Sequence, residues 1–417
     1  MSNQGDTLFE PITACRICGS GQIRMVLDLG AQPPANSLRG SLKEELPVIP
    51  LSVCRCDICT TVQLTETVKP DFLFRNYFWV TGTSATAQEY SRTFYAEAAK
   101  RCGDRPLFAI EIASNDGTFL RRFQEKGHRV LGVDPAKNIA KAANEQGVET
   151  WPEFFSRAVA DEIVRRHGNA DFIFARNVLP HVAKVHDVVT GMNRCLNQAG
   201  IGAVEFHYAR CIVEGLHYDS VYHEHLFYFS IKSLATLLER HALWAFDLIE
   251  SPISGGSIVL YFSKEERDPS AALEERLESE ERSGLGLQAT WERFAERCVV
   301  HRDRLAAMVR EECAAGGAGV IGYGASARSS TLLNFCGIND RHLLCIADQN
   351  PLKHGKYTAG TNIPIVPPEA AFAKNPHAVL LLAWNFKDEL LALLKSKFQF
   401  RGKVIVPLPN DPTVIVL

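Results

Sequence analysis

The sequence lacks the features that mark several large protein classes. Its opening, MSNQGDTLFEP, has no basic stretch and no apolar run, so no signal peptide is expected. No uninterrupted apolar run reaches the length of a membrane span. Lys and Arg, 45 together, nearly balance 48 Asp and Glu, for a net charge of -3. A chain so balanced has no overall attraction for nucleic acid or an anionic membrane. The expectation is a cytoplasmic protein, monomer or weak dimer, whose partner is a small molecule. Its 12 Cys are then thiols or metal ligands rather than disulfides.

What is present is ample core-forming material. The 417 residues are 46% hydrophobic, enough for two or three domains. Five cysteines fall in the first 60 residues. Cys15-x-x-Cys18 and Cys56-x-x-Cys59 have the spacing of two metal-binding knuckles. Four thiolates make a closed tetrahedral site of the structural zinc kind, which a small module with a thin core needs. Cys54 is an alternative ligand, with Cys56 preferred because Cys-x-x-Cys closes the usual turn. Few Lys or Arg surround these cysteines, which argues against a nucleic-acid-binding ribbon.

The segment Glu111-Ile112-Ala113-Ser114-Asn115-Asp116-Gly117 follows the apolar run Leu107–Ile110 and precedes Val130-Leu131-Gly132-Val133-Asp134. That reads as strand, small-residue turn, helix, strand, and an acid at the strand's end. Such a layout binds a nucleoside at the carboxyl edge of a parallel sheet. The glycines do not keep the G-x-G-x-x-G spacing and no P-loop lysine follows. An acid-rich loop without a phosphate cradle suits a cationic nucleoside, S-adenosylmethionine. Asp134 is expected to accept from the ribose hydroxyls.

An α/β alternation continues downstream, with helices expected over 85–101, 117–126 and 136–146 and strands over 107–112, 129–133, 171–175 and 201–206. The strand 171–175 leads into Asn177 and His181. Further on, Tyr222-His223-Glu224-His225 stands in an aromatic setting. Apolar surroundings push a histidine toward its neutral form, and so toward use as a base. A second metal site through His223 and His225 lacks an evident third ligand.

Residues 263–315 are rich in charge and read as long solvated helices bridging two domains. A second Rossmann-like unit follows. Gly319–Ala327 reads as a strand and G-x-G-x-x-A, and Leu343–Ala347 as a strand ending at Asp348. That spacing suits either NAD or a diphosphate on a helix amino terminus, with Arg328 and Ser329 in the first turn. Residues 378–386 read as a buried strand ending near Trp384 and Asn385. Trp384 fits either base stacking or core packing.

Taken together, these stretches resemble the three-domain, zinc-containing sugar C-methyltransferases of deoxysugar biosynthesis. The likeness rests on the two cysteine pairs with Val62-Gln63-Leu64, and on Leu73-Phe74-x-Asn76-Tyr77. It continues through Glu111–Gly117, Gly132–Ala136, Asn177-Val178-x-x-His181 and Tyr218-Asp219-x-x-Tyr222-His223-Glu224-His225-Leu226. It closes with Tyr323-Gly324-Ala325, the run from Lys353 through Tyr357 to Pro364, and Ala383-Trp384-Asn385. The resemblance implies an α/β protein with a zinc-binding module at 1–74. A Rossmann-like methyltransferase domain would occupy 75–262. A helical bridge with a C-terminal Rossmann-like domain for the nucleotide sugar would occupy 263–417.

It implies methyl transfer to C3 of a nucleoside-diphosphate (commonly dTDP) 4-keto-6-deoxysugar. His225 would take the C3 proton, Tyr222 and Glu224 would orient it, and His181 and Tyr77 would line the pocket. Glu111, Ala113, Asn115, Gly117, Asp134, Pro135 and Asn177 would hold S-adenosylmethionine. Tyr323, Gly324, Ala325, Arg328, Ser329, Tyr357, Trp384 and Asn385 would hold the nucleotide, and Cys15, Cys18, Cys56 and Cys59 zinc. Three positions depart from the family pattern. Ser254 stands where a His is usual before Gly255-Gly256-Ser257, and Arg328-Ser329 where Lys-Gly is usual. A His usual after the Tyr77 segment is missing near Glu89 and Tyr90.

Three other readings compete. One is methyl transfer to N or O of a different small molecule. Another is an NAD-dependent oxidoreductase using the C-terminal unit, and a third is a zinc-ribbon binding protein with an inactive enzyme domain.

Overall fold

The computed structural model describes residues 8–74, 81–83, 85–103 and 105–417. Besides a two-stranded ribbon of Phe9–Pro11 and Glu66–Val68, three larger sheets organise the described residues around their sites. The first is four-stranded and antiparallel, in the order Phe227–Tyr228, Val62–Leu64, Ile49–Cys56, Ile23–Gln32. Its outer strand comes from the middle of the chain, pairing Phe227 with Gln63. The amino-terminal module and the segment carrying Tyr222 to His225 are therefore joined through one sheet.

The central sheet has seven strands, in the order Trp244–Ser251, Ser257–Ser263, Leu196–His207, Ala170–Arg176, Phe108–Ile112, Arg129–Val133, Thr150–Trp151. Ser257–Ser263 runs antiparallel to both its neighbours, and the other pairings are parallel. The inner strands are apolar on both faces because helices cover both. Strand order reverses between Phe108–Ile112 and Ala170–Arg176. Chain connections leave such a point in opposite directions and open a crevice at the carboxyl ends of the strands. Under one face Phe94, Phe119, Phe123, Phe172 and Phe174 pack ring against ring.

The third sheet has six strands, with Val320–Tyr323 and Ala378–Leu381 side by side and parallel at its centre. The segment 343–347, expected as a strand, is extended only over Ile346–Ala347. The segment 378–386 leaves the sheet after Leu381, and Trp384–Phe386 forms a 3-10 turn. Both expectations followed apolar character, which continues past the last ladder hydrogen bond.

Two helices, Ala271–Ser283 and Gln288–Ala314, bridge the central and C-terminal units. The second is not solvated all round, as its charge suggested. Trp291, Phe294, Cys298, His301, Leu305 and Val309 are buried along one stripe at three- and four-residue spacing. The many charged residues between them obscured that period in the sequence.

Candidate functional site

The four cysteines of the two knuckles converge. Sγ of Cys15 lies 3.5 Å from that of Cys59, and Sγ of Cys18 lies 3.5 Å from that of Cys56. All four sulfurs fall within 4.8 Å of one another. Zinc–sulfur bonds of about 2.3 Å in a tetrahedron place sulfurs about 3.8 Å apart, so the spacing fits. Within each knuckle a backbone N–H donates to the first thiolate, Ile17 to Cys15 and Ile58 to Cys56, each at 3.4 Å. Cys54 is buried outside the cluster, and burial pushes its thiol up to about 12. A closed set of four ligands leaves no position for catalysis.

The loop after Phe108–Ile112 is built from left-handed turns, with φ of 52° at Ala113, 52° at Asn115 and 74° at Gly117. Small or amide-bearing residues tolerate this conformation, which turns backbone toward the crevice. Asp134 organises the loop: one carboxylate oxygen accepts from Asn115 N–H at 2.8 Å, the other from Ala136 N–H at 2.9 Å. Burial pushes its pKa above the usual carboxylate range despite these bonds. Glu111 is sealed inside, 3.9 Å from Arg176, whose guanidinium lies over the Phe119 ring and donates to Glu205 at 2.8 Å. Oε2 of Glu111 and Oγ of Ser114 are buried without a hydrogen-bond partner among the described residues. The turn Thr81–Thr83 caps the loop, as Thr81 N–H donates to Asn115 and Gly82 N–H to Asp116, each at 2.9 Å. Positive-φ backbone, a strand-end acid and unpartnered polar atoms beneath it fit a nucleoside cofactor here. Asn177, at φ 52°, begins the neighbouring exit loop of the same crevice, and Pro135 follows Asp134 at its rim.

That exit loop continues to His181, whose ring meets His225 edge-on at 4.7 Å between centroids. The Nδ1 of His225 lies 2.9 Å from the Ser220 carbonyl, and its Nε2 2.6 Å from the Tyr222 hydroxyl. A carbonyl only accepts, so Nδ1 carries the proton and Nε2 presents its lone pair. Burial holds His225 well below the usual histidine range, and His181 nearby adds to this. Burial also takes His181 down to about 4. Glu224 is buried and pushed up to about 7, while a hydrogen bond from Asn36 Nδ2 at 2.6 Å works the other way. His223 faces away from this group, with Nε2 3.2 Å from the carbonyls of Ile49 and Pro50, so it ties this loop to the amino-terminal module.

Two further histidines extend the row, and the sequence reading did not select them. His207 closes the strand Leu196–His207 and stacks on His217 at 5.7 Å. His217 in turn meets Trp384 of the C-terminal domain at 4.8 Å. Burial and the nearby Arg328 charge keep both neutral, His217 at about 4. The signal available for His207 was its place at a strand's carboxyl end. For His217 the sequence carried no such mark, and Asp219 stood only within the Tyr218–Leu226 stretch of the resemblance, without a role.

In the C-terminal domain Tyr323 ends its strand and Gly324 follows at φ 98°, where a Cβ would stand 2.6 Å from that of Ala383. Ala325 N–H donates to Asp348 at 2.7 Å, and Asn350 N–H to the other oxygen at 2.8 Å. This repeats the device of Asp134. Arg328 and Trp384 both reach Asp219: the guanidinium forks onto the carboxylate at 3.0 and 2.9 Å, and the indole N–H donates at 2.8 Å. Arg328 also lies over the Trp384 ring at 4.6 Å. The Ser329 hydroxyl takes part in a capping box with Ser326. Trp384 and the exposed Asn385 line a 380 Å³ cavity with Gly255, Lys387 and Pro409. Tyr357 stands apart from these, bridging through its backbone to Arg39 and Pro364. Tyr77 lies outside the described residues.

A crevice with a positive-φ loop and an acid at the next strand's end fits a methyltransferase. Three family models match: a zinc-binding domain over 15–74, a methyltransferase domain over 86–243 and a C-methyltransferase C-terminal domain over 252–409. The C-methyltransferase NovU of Streptomyces niveus is 35% identical over 414 residues, 98% of each chain. The chain belongs to this C-methyltransferase family. Among solved structures, magnesium protoporphyrin IX methyltransferase from Synechocystis PCC 6803 with bound SAM is 10% identical. It covers 43% of this chain and 79% of that one, with a TM-score of 0.33. PH0226 from Pyrococcus horikoshii OT3 is 14% identical over 47% and 98%, with a TM-score of 0.35. The protein is a S-adenosylmethionine-dependent C-methyltransferase with a zinc-binding module. Among the described residues no helix is long and apolar enough to cross a membrane.

Proposed function

We propose that this enzyme methylates C3 of a nucleoside-diphosphate 4-keto-6-deoxysugar, dTDP being the favoured nucleotide, through an enolate formed by His225. The observation that carries this is the state of His225: buried, neutral, and fixed by the Ser220 carbonyl in the tautomer that leaves Nε2 as a base. Carbon acceptors need such a base; nitrogen and oxygen acceptors carry their own lone pair. The likeness to a C-methyltransferase along the whole chain favours carbon as well.

A C–H beside a ketone is acidic enough for an imidazole only when the oxyanion is stabilised. In this reading Nε2 of His225 takes the C3 proton and the electron pair moves onto the C4 oxygen. His181, which meets His225, donates to that oxygen, and Tyr222 orients His225. Tyr77 is the remaining candidate for that role. The enolate carbon then bonds to the methyl carbon as the carbon–sulfur bond breaks toward sulfur. S-adenosylmethionine supplies that methyl on a sulfonium, held by Glu111, Ala113, Asn115, Gly117, Asp134, Pro135 and Asn177. Holding carbon and methyl in line is the other large contribution. Arg328, Trp384, Asn385, Tyr323, Gly324, Ala325 and Ser329 form or support the nucleotide side. Such a reaction belongs to deoxysugar, natural-product or surface-glycan biosynthesis in the cytoplasm, by a monomer or weak dimer.

A second path shares the same atoms. The 2.6 Å bond from the Tyr222 hydroxyl to Nε2 allows His225 to take the phenol proton while the phenolate takes that of C3. Tyr222→Phe separates the two: it leaves C3 exchange measurable if His225 acts directly and removes it if the phenolate does.

The test is mass spectrometry in deuterated water with S-adenosylmethionine and freshly generated dTDP- and GDP-4-keto-deoxysugars. The expected result is one added methyl, with C3 exchange reduced about 10²–10⁴-fold in His225→Asn. Cofactor-binding protein that neither methylates nor exchanges any member of the panel would sink the reading and favour N- or O-acceptors.

A further inference from the structure

The 3-10 turn Tyr218–Ser220 lies between the C-terminal domain and the base. Three consecutive residues there, Asp219 to Val221, bond outward and alternate between these two neighbours. Asp219 accepts from Arg328 and Trp384, both of the C-terminal domain. Ser220 accepts the Nδ1 proton of His225. Val221 accepts from the Thr331 hydroxyl at 2.9 Å, on the same helix as Arg328. The acceptor that sets the tautomer of His225 is therefore held on both sides by the domain assigned to the nucleotide.

Asp219 is only 1% exposed, so its charge has no solvent to rely on. A forked guanidinium and an indole N–H are what a buried carboxylate requires. Those donors come from adjacent places in the fold. Arg328 is in the first turn of the helix after Val320–Tyr323, and Trp384 is just beyond Ala378–Leu381, the neighbouring strand. Asp219 thus clamps the carboxyl edge of the C-terminal sheet to a turn of the methyltransferase domain. It touches no reacting atom in the reaction proposed.

We propose that Asp219 is a positioning residue for the base. Through its fork with Arg328 and its bond to Trp384 it fixes the turn whose Ser220 carbonyl holds His225 with the proton on Nδ1. Engagement of the C-terminal domain and readiness of Nε2 are then one event. This rests on His225 being the base.

Asp219→Asn tests it. The amide keeps an acceptor for the indole and loses the charged fork. Three readouts are taken on the full-length enzyme. The kcat and KM for the nucleotide sugar come first. Calorimetric binding of S-adenosylmethionine follows, and then ¹⁵N spectra of histidine-labelled protein, with His225 assigned by its loss in His225→Asn. The expected result is a kcat lowered about 10–100-fold, as a small misplacement of a catalytic group produces. KM and cofactor affinity stay within a few-fold, and the His225 signals change from one tautomer to a mixture. If Asp219→Asn does not fold, Thr331→Val removes the hydroxyl bond to the Val221 carbonyl, loosening the same turn from its other end, and must give the same three results. An unchanged tautomer, or a raised KM at constant kcat, overturns the proposal. The tautomer comparison needs no substrate. A wild-type enzyme that fails on every nucleotide sugar would defeat the functional reading while this inference is still decided by the spectra.

Discussion

Glu224 shows how one buried carboxyl is felt in the stability of the fold. Its carboxyl, ordinarily near 4.5, is pushed up to about 7 because burial penalises the charged form more than Asn36 favours it. The folded state therefore holds a proton that the unfolded chain releases earlier. Its contribution is present below pH 4.5 and is lost as pH rises through about 7. Glu224→Gln keeps an acceptor for Asn36 and removes that loss. The variant is expected to gain stability relative to wild type between pH 5 and 8, on the order of 3 kcal/mol at the upper end. Urea unfolding at the two pH values measures the gap; a constant difference would mean that Glu224 is not held as the acid. The histidines of the row work in the opposite sense. Their neutral forms are favoured by burial, so the stability they confer is present above pH 6.5 and is lost as pH falls.

At the scale of elements, both Rossmann-like units use one device twice. An acid at the end of the second strand accepts from the loop after the first strand and from its own residue two positions on, Asp134 in one and Asp348 in the other. In the C-terminal unit Lys353 also donates to Ala325 at 2.7 Å and pairs with Asp348 at 3.4 Å, so that loop is held by a cation as well. The long helix Gln288–Ala314 sets how these units face each other. His301 on its buried stripe lies 3.0 Å from the Tyr218 hydroxyl and 2.6 Å from the Pro407 carbonyl, touching both domains. Leu305, one turn on, is fully buried. Leu305→Ala is expected to cost about 2–5 kcal/mol in denaturant unfolding. A loss under about 0.5 kcal/mol, the size of a surface change, would contradict the packing described.

The whole molecule is tied together by its smallest part. The zinc module holds the segment of the base through Asn36 on Glu224, Ile49 and Pro50 on His223, and the strand pairing of Phe227 with Gln63. Metal binding by such modules is coupled to their folding. Removing zinc with a chelator is expected to lower both the melting temperature and kcat while calorimetric S-adenosylmethionine affinity holds. The cofactor loop hangs from a different sheet. Full turnover by metal-free protein, its zinc content checked by emission spectrometry, would show that these ties do not matter.

The sequence by itself determined the elements that local chemistry specifies. Two Cys-x-x-Cys pairs led to one cluster because only thiolate pairs at that spacing close knuckles. The Glu111–Gly117 loop and Asp134 were legible because positive-φ turns and strand-end acids leave their mark within a few residues. Tyr222, Glu224 and His225 read as one group because they are neighbours in the chain; the structure pairs Tyr222 with His225 and Glu224 with Asn36. The buried stripe of Gln288–Ala314 was masked by its charged face. The ends of the strands near 346 and 381 depended on ladder partners far along the chain. Only the tertiary structure decided that His207 and His217 join His181 and His225. It alone decided that Arg328 and Trp384 converge on Asp219, more than 100 residues earlier, and that Ser220 offers its carbonyl to the base. Those relations are made by backbone atoms and by pairs distant in the chain. Burial, which sets the charge of each group, exists only once the domains have closed on one another.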